Sequence, residues 1–244
     1  MSRLACLLVL FFCTVSVYSE TALRPGSGDA MALSPQNPSG DVPLKILAGP
    51  VASSLPLLVF ISGDGGWNSF EESLCKSLNQ KGVSLVVLDA QKYFWKSKTP
   101  DETAIDLQRV VETWQKNWNK EQFVLAGFSF GASVVPFAVN RFTESLGRKL
   151  AAAILISPDK SCDFEIHLSD MLNVVTTRGK FDVLGEIRSG SFKKLVAFFG
   201  NEERIDTRNA FEQAGASIRL LPGNHHFDSG FDALADLMVA EMMK

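Results

Sequence analysis

Histidine is scarce in this chain: 244 residues contain three, at His167, His225 and His226. That scarcity argues against a metal centre. No two of them have the spacing by which a helix presents imidazoles to one ion, and the adjacent His225 and His226 are poorly placed to chelate together. Cysteine is also sparse, with four residues, two of them before residue 20. The remaining Cys75 and Cys162 permit one disulfide but no disulfide framework, and two buried free thiols are the expected state. Positive charge is not in excess, because 24 Lys and Arg stand against 27 Asp and Glu. A net charge of -3 offers no footprint for a nucleic-acid backbone, so any contact with lipid must rely on shape and local apolar groups. Neither G-x-x-x-x-G-K-[ST] nor G-x-G-x-x-G occurs, so no phosphate cradle and no cofactor are implied. The longest N-terminal apolar run, Leu4 to Val17, falls short of the roughly 20 residues a membrane helix needs. Preceded by Arg3 and followed by Tyr18-Ser19, it reads as a secretory signal cleaved after Ser19, which implies an exported, soluble mature protein.

What is present is apolar bulk in an ordered rhythm. Eighteen Phe and four Trp supply a sizeable core, and the length suits one domain. Residues 20–43, rich in Gly, Pro and Ser, read as a flexible leader, which places the domain at residues 44–244. There, apolar β-type runs predict strands at Leu44 to Ala48, Leu55 to Ile61, Val83 to Leu88, Gln122 to Ala126, Ala151 to Ile156, Lys194 to Phe199 and Ser217 to Leu221, most of them continuous as strands buried on both faces should be. Helices are predicted between them at about Ser69 to Lys81, Pro100 to Trp118, Phe130 to Phe142, Asp206 to Ala214 and Asp228 to Met243. The second opens with Thr99, Pro100 and Glu102, a capping box with proline at the first helical position. Pro136 should kink the third, because it removes a backbone donor. Strand and helix in alternation predict an α/β fold with a mostly parallel central sheet and helices on both faces. The stretch from Asp159 to Ile187 breaks that alternation and reads as an insertion over the sheet edge.

Gly127-Phe128-Ser129-Phe130-Gly131 lies where an apolar strand meets a helix. G-x-S-x-G alone arises by chance in roughly one chain in ten of this length; the strand and helix around it make it a nucleophile elbow, with Ser129 as the candidate nucleophile. A serine near neutral pH needs a base, and the α/β-hydrolase order of nucleophile, acid and histidine points to His225-His226 after the last strand. His226, beside the aromatic Phe227, is favoured over His225 by a narrow margin, and His167 precedes the expected acid. The acid should follow the penultimate strand, where Gly200-Asn201-Glu202-Glu203 selects Glu203, with Asp206 close behind. An oxyanion hole would take the backbone N–H groups of Phe130 and, from the glycine-rich Ser62 to Trp67 loop, Asp64.

Taken together, SGDGGW (Ser62 to Trp67), YFWKSKTPDETAIDL (Tyr93 to Leu107), GFSFGASVVPF (Gly127 to Phe137), DFEIH (Asp163 to His167), FGNEERIDT (Phe199 to Thr207) and LPGNHHFD (Leu221 to Asp228) resemble the VirJ family of bacterial virulence proteins, including the VirJ domain of AcvB. The resemblance runs from about Leu44 to the C-terminus. Against that resemblance, Phe128 stands where the family's elbow is expected to carry Tyr, and the extra N-terminal domain of AcvB-like members is not expected here. The resemblance implies an α/β-hydrolase fold, export to the periplasm, association with type IV secretion, and hydrolysis of lysyl- or alanyl-phosphatidylglycerol at the membrane surface. Ser129 would attack the aminoacyl ester while the histidine takes its proton. The substrate's ammonium would need a cation-accepting group, for which Asp163 or Glu165 is the candidate. Trp67, Tyr93, Phe94 and Trp95 are candidates to meet the lipid, with core packing expected for at least half of them. Two further readings stay open: another serine esterase or thioesterase on the same scaffold, and a secretion-associated binding protein with a vestigial triad.

Overall fold

The computed structural model describes residues 41–166 and 179–244. The expected signal, nearly all of the leader and His167 lie outside the described residues. Seven strands form the main sheet: β1 (Leu44–Leu47), β2 (Leu57–Ile61), β3 (Leu85–Leu88), β4 (Phe123–Phe128), β5 (Leu150–Ile156), β8 (Leu195–Gly200) and β9 (Ser217–Leu221). Their order is β1-β3-β2-β4-β5-β8-β9, with β1 antiparallel to β3 and every other pair parallel. Every residue of β2, β3, β4 and β8 is buried, which is why their sequences are apolar without alternation.

Period-two geometry still divides each strand between two apolar layers. Val59, Ile61, Leu125, Ala153, Leu155, Ala197 and Phe199 face one layer; it is closed by α3 (Pro100–Asn117), α4 (Phe130–Val139), α6 (Val183–Ser189) and α7 (Ile205–Ala214). Leu58, Phe60, Val124, Ala126, Ile154, Ile156 and Phe198 face the other, beneath α1 (Ser69–Gln80) and α8 (Phe231–Met242). Leu74, Leu78, Leu234 and Met238 from these two helices are fully buried, each contributing about 1.5–3 kcal/mol. Cys75 and Cys162 are buried free thiols in different layers.

The sequence signals at helix ends are realised in detail. Thr99 Oγ1 accepts the Glu102 N–H at 3.1 Å, and Glu102 Oε2 accepts the Thr99 N–H at 2.8 Å. Helix α4 runs through Pro136 and ends at Val139 instead of reaching Phe142. Between Asp159 and Ile187 the chain forms a short antiparallel pair, β6 (Ser161–Cys162) with β7 (Phe181–Asp182), and the start of α6. Two one-turn helices, α2 (Ala90–Tyr93) and α5 (Glu144–Gly147), were not legible as periodic segments. No helix among the described residues is long and apolar enough to cross a membrane.

The pairing register places the chemistry. Ile61 pairs with Gly127, Phe128 with Ile156, Ile156 with Phe198, and Gly200 with Leu221. The loops after β2, β4, β5, β8 and β9 therefore leave the same edge of the sheet, where parallel α/β sheets gather ligands.

Candidate active site

Ser129 stands between β4 and α4 with φ 51° and ψ -115°, a conformation that L-residues adopt only when the surroundings impose it. The glycines on either side are steric necessities. A Cβ on Gly127 would lie 2.4 Å from the Gly131 backbone, and one on Gly131 would lie 2.3 Å from Ile61 O. The Ser129 N–H donates to Ile156 O at 2.8 Å, which locks the turn against β5. Ser129 itself is half-buried, and among the described residues its hydroxyl forms no hydrogen bond with another side chain. Triad hydrogen bonds often tighten only when substrate is bound.

Glu203 sits in the turn after β8, and its two carboxylate oxygens have different tasks. Oε1 accepts the Gly200 N–H at 2.7 Å and the Ser157 hydroxyl at 2.7 Å. Oε2 faces His225 Nδ1 at 3.2 Å. Burial by itself would raise the pKa of this carboxyl, but the hydrogen bonds from His225, Ser157 and Gly200 together outweigh it and hold the group below its usual value. Asp206, the other candidate acid, is occupied elsewhere, bound to Lys160 at 2.9 Å and to Arg204 at 3.0 Å.

The structure distinguishes the two histidines by their contact with Glu203. His225, not the favoured His226, is the partner of Glu203. The reason is the stitching of the two loops: Asn201 N–H donates to Leu221 O, Glu202 N–H to Gly223 O, and Gly223 N–H to Asn201 Oδ1. A Cβ on Gly200 would lie 2.2 Å from Asn224 O, so only glycine lets the loops approach this closely. That contact places residue 225 opposite Glu203. Phe227 does anchor the loop, being buried near Phe70, but the His226 ring, 5.3 Å from that of His225, packs among the aromatic rings and not on Glu203. The His226 ring edges Phe70 at 5.5 Å and lies tilted against Phe128 at 5.4 Å, and partial burial with the neighbouring His225 lowers its pKa. Phe128 stacks on Phe70 at 4.1 Å.

The candidate oxyanion donors come from two loops at this edge. Phe130 is the first residue of α4, where N–H groups have no intrahelical acceptor. Asp64 follows Gly63, whose own N–H is held by the buried Glu71 at 3.1 Å. Of the residues considered for substrate contact, Trp67 is half-buried against the α1–α8 layer, Tyr93 and Phe94 are buried, and Trp95 is 53% exposed. Phe94 edges Phe130 at 5.0 Å and Phe164 at 5.9 Å. Asp163 and Glu165 flank Phe164 and are half-buried, and Asp163 Oδ1 accepts the Lys180 N–H at 3.1 Å. Sequence reasoning missed Ser157, whose only signal was its place directly after a buried strand.

The fold is that of the α/β hydrolases. Est1E from Butyrivibrio proteoclasticus, solved with ferulic acid, superposes with a TM-score of 0.59 at 15% identity, covering 83% of this chain and 96% of that one. A lipase-esterase related protein from Clostridium acetobutylicum gives 0.58 at 12% identity, with coverage of 81% and 98%. A proline iminopeptidase from Mycobacterium smegmatis gives 0.56 at 13% identity, with coverage of 84% and 97%. No curated protein matches the chain. The profile of a family described as bacterial virulence protein (VirJ) matches residues 56–244.

Proposed function

The chain belongs to the VirJ family of bacterial virulence proteins, and from that premise we propose that it is a periplasmic serine hydrolase cleaving the aminoacyl ester of lysyl- or alanyl-phosphatidylglycerol. The observation that carries the hydrolase reading is the strained Ser129 elbow at the same sheet edge as the Glu203–His225 pair. Ser129 Oγ attacks the ester carbonyl as His225 takes its proton, with Glu203 holding Nδ1 and stabilising the imidazolium. The N–H groups of Phe130 and Asp64 receive the oxyanion, each such donor being worth about 2.7–4 kcal/mol in the barrier. Collapse breaks the ester bond, and His225 returns the proton to the departing glycerol oxygen of phosphatidylglycerol. Water, deprotonated by the same histidine, then releases the amino acid and regenerates Ser129.

The substrate reading rests on the family resemblance and is supported by the charge at the site. Asp159 lies within electrostatic range of His225, and Asp64 within electrostatic range of His226. Such a setting suits an acyl group that bears an ammonium. Location in the periplasm and contact with type IV secretion components are part of the same proposal. The test is release of free amino acid from lysyl- and alanyl-phosphatidylglycerol vesicles, with Ser129→Ala alongside. Release that vanishes in the variant is the expected result. No release from either lipid, with a soluble ester still cleaved, would transfer the assignment to a general esterase or thioesterase.

A further inference from the structure

Resting on the reading of Ser129, His225 and Glu203 as a triad, we propose that Ser157 is its positioning residue, whose hydroxyl ties the Glu203 carboxylate to the backbone of the His225 loop. Ser157 follows β5, is 1% exposed, and takes φ 49°. Its N–H donates to Phe198 O at 2.8 Å, which fixes it to β8 just before the acid turn. Its Oγ lies 2.7 Å from Glu203 Oε1 and 3.3 Å from His225 O. One hydroxyl proton thus points between the acid and the main chain of the base, with the shorter contact to the acid.

The backbone sharpens this assignment. A positive φ is the natural place for glycine, or for Asn or Asp, and serine has no conformational advantage there. Glycine would satisfy the main chain without strain, so what serine adds is the hydroxyl. With Gly200 N–H it saturates Oε1, so the carboxylate cannot rotate away and Oε2 stays directed at His225. Among the described residues, His226 and Asp159 are also within electrostatic range of Glu203.

Ser157→Gly separates positioning from folding, because it removes the hydroxyl and relieves the strain together; Ser157→Ala is its companion. With p-nitrophenyl acetate as probe, both variants are expected to lower kcat about 10- to 100-fold, the range for one hydrogen bond to a charged group, with KM within about twofold. The acid limb of kcat/KM should move to higher pH, because a carboxylate with one donor fewer holds the imidazolium more strongly. In a Glu203→Gln background Ser157→Gly should cost little more, since it acts through the acid already removed. The Glu203 carboxyl titration, followed by 13C NMR, should shift upward in Ser157→Gly whether or not the probe is a substrate. Wild-type kcat in Ser157→Gly, a loss that adds in full to Glu203→Gln, or an unmoved Glu203 titration would each overturn the proposal. If the wild-type chain cleaves no ester, the hydrolase reading fails and the NMR titration alone decides the role of Ser157.

Discussion

The two adjacent histidines give the most direct test of the site. His225→Ala removes the partner of Glu203 Oε2, whose hydrogen bond is 3.2 Å long. Loss of a triad base lowers kcat by about 10⁴- to 10⁶-fold, leaving the background supplied by oxyanion donors and binding. The substitution also leaves Oε2 of a carboxylate whose side chain is only 15% exposed without its hydrogen bond, while Oε1 keeps those from Ser157 and Gly200. An unpartnered charged acceptor of this kind costs about 1–3 kcal/mol, and each kcal/mol lowers Tm by about 2–4 °C in a domain of this size. His226→Ala has a different cost. Its exposed ring loses contacts to Phe70 and Phe128, worth about 0.5–1.5 kcal/mol, and no partner of the acid is touched. Turnover of p-nitrophenyl acetate, labelling of Ser129 by a fluorophosphonate, and thermal melts distinguish the two. His225→Ala should abolish turnover and labelling, and His226→Ala should retain turnover within about fivefold. The reverse pattern would refute the argument that the stitched loops, and not the aromatic anchor, select the base.

Three further outcomes follow from particular contacts. Gly131→Ala places a Cβ 2.3 Å from Ile61 O; it should lower stability by about 1–3 kcal/mol or more and abolish labelling of Ser129, and a wild-type melt would contradict the packing of the elbow. Burial raises the pKa of Glu71 despite its hydrogen bond from Gly63. A raised carboxyl pKa means that stability is full below 4.5 and is lost as pH rises through the folded value, so Glu71→Gln should raise Tm at pH 7 and not at pH 4; equal melts at pH 7 would count against it. Glu241 has the opposite sign. Burial pushes its pKa up, but Lys194, Lys244 and Arg219 outweigh that and bring it down to about 2. Its contribution is complete above 4.5 and lost as pH falls toward about 2, so Glu241→Gln should melt several degrees lower at pH 7, with the gap closing at pH 2; a gap that persists there would refute the ion-pair account.

Much of the fold was legible because its determinants are local. Fully buried strands must be apolar throughout, as β2, β3, β4 and β8 are, and all seven runs, the half-exposed β1 and β9 included, became sheet strands within two residues of their expected ends. The Thr99 capping box marks the start of α3 because both of its hydrogen bonds are made within four residues. The one-turn helices α2 and α5 and the two-residue strands β6 and β7 are too short to carry a period, and tertiary contacts define them instead. Ile166 N–H donates to Phe94 O and Lys98 N–H to Phe164 O, bonds that join segments about seventy residues apart.

The same division explains the candidate site. Ser129 could be named as the candidate nucleophile because its elbow needs glycine on both sides at fixed spacing, and Glu203 as the candidate acid because it stands at a fixed offset from Gly200 at the end of a strand. The choice between His225 and His226 has no such local mark, since one residue of register decides it. That register is set by Asn201, Glu202 and Gly223 across twenty residues of sequence, and by the absence of a Cβ at Gly200. Ser157 is more remote still: it meets Glu203 and His225 only because β5 and β8 are neighbours in the sheet. A local aromatic such as Phe227 fixes where the loop is anchored, but hydrogen bonds from another strand fix which side chain faces the acid.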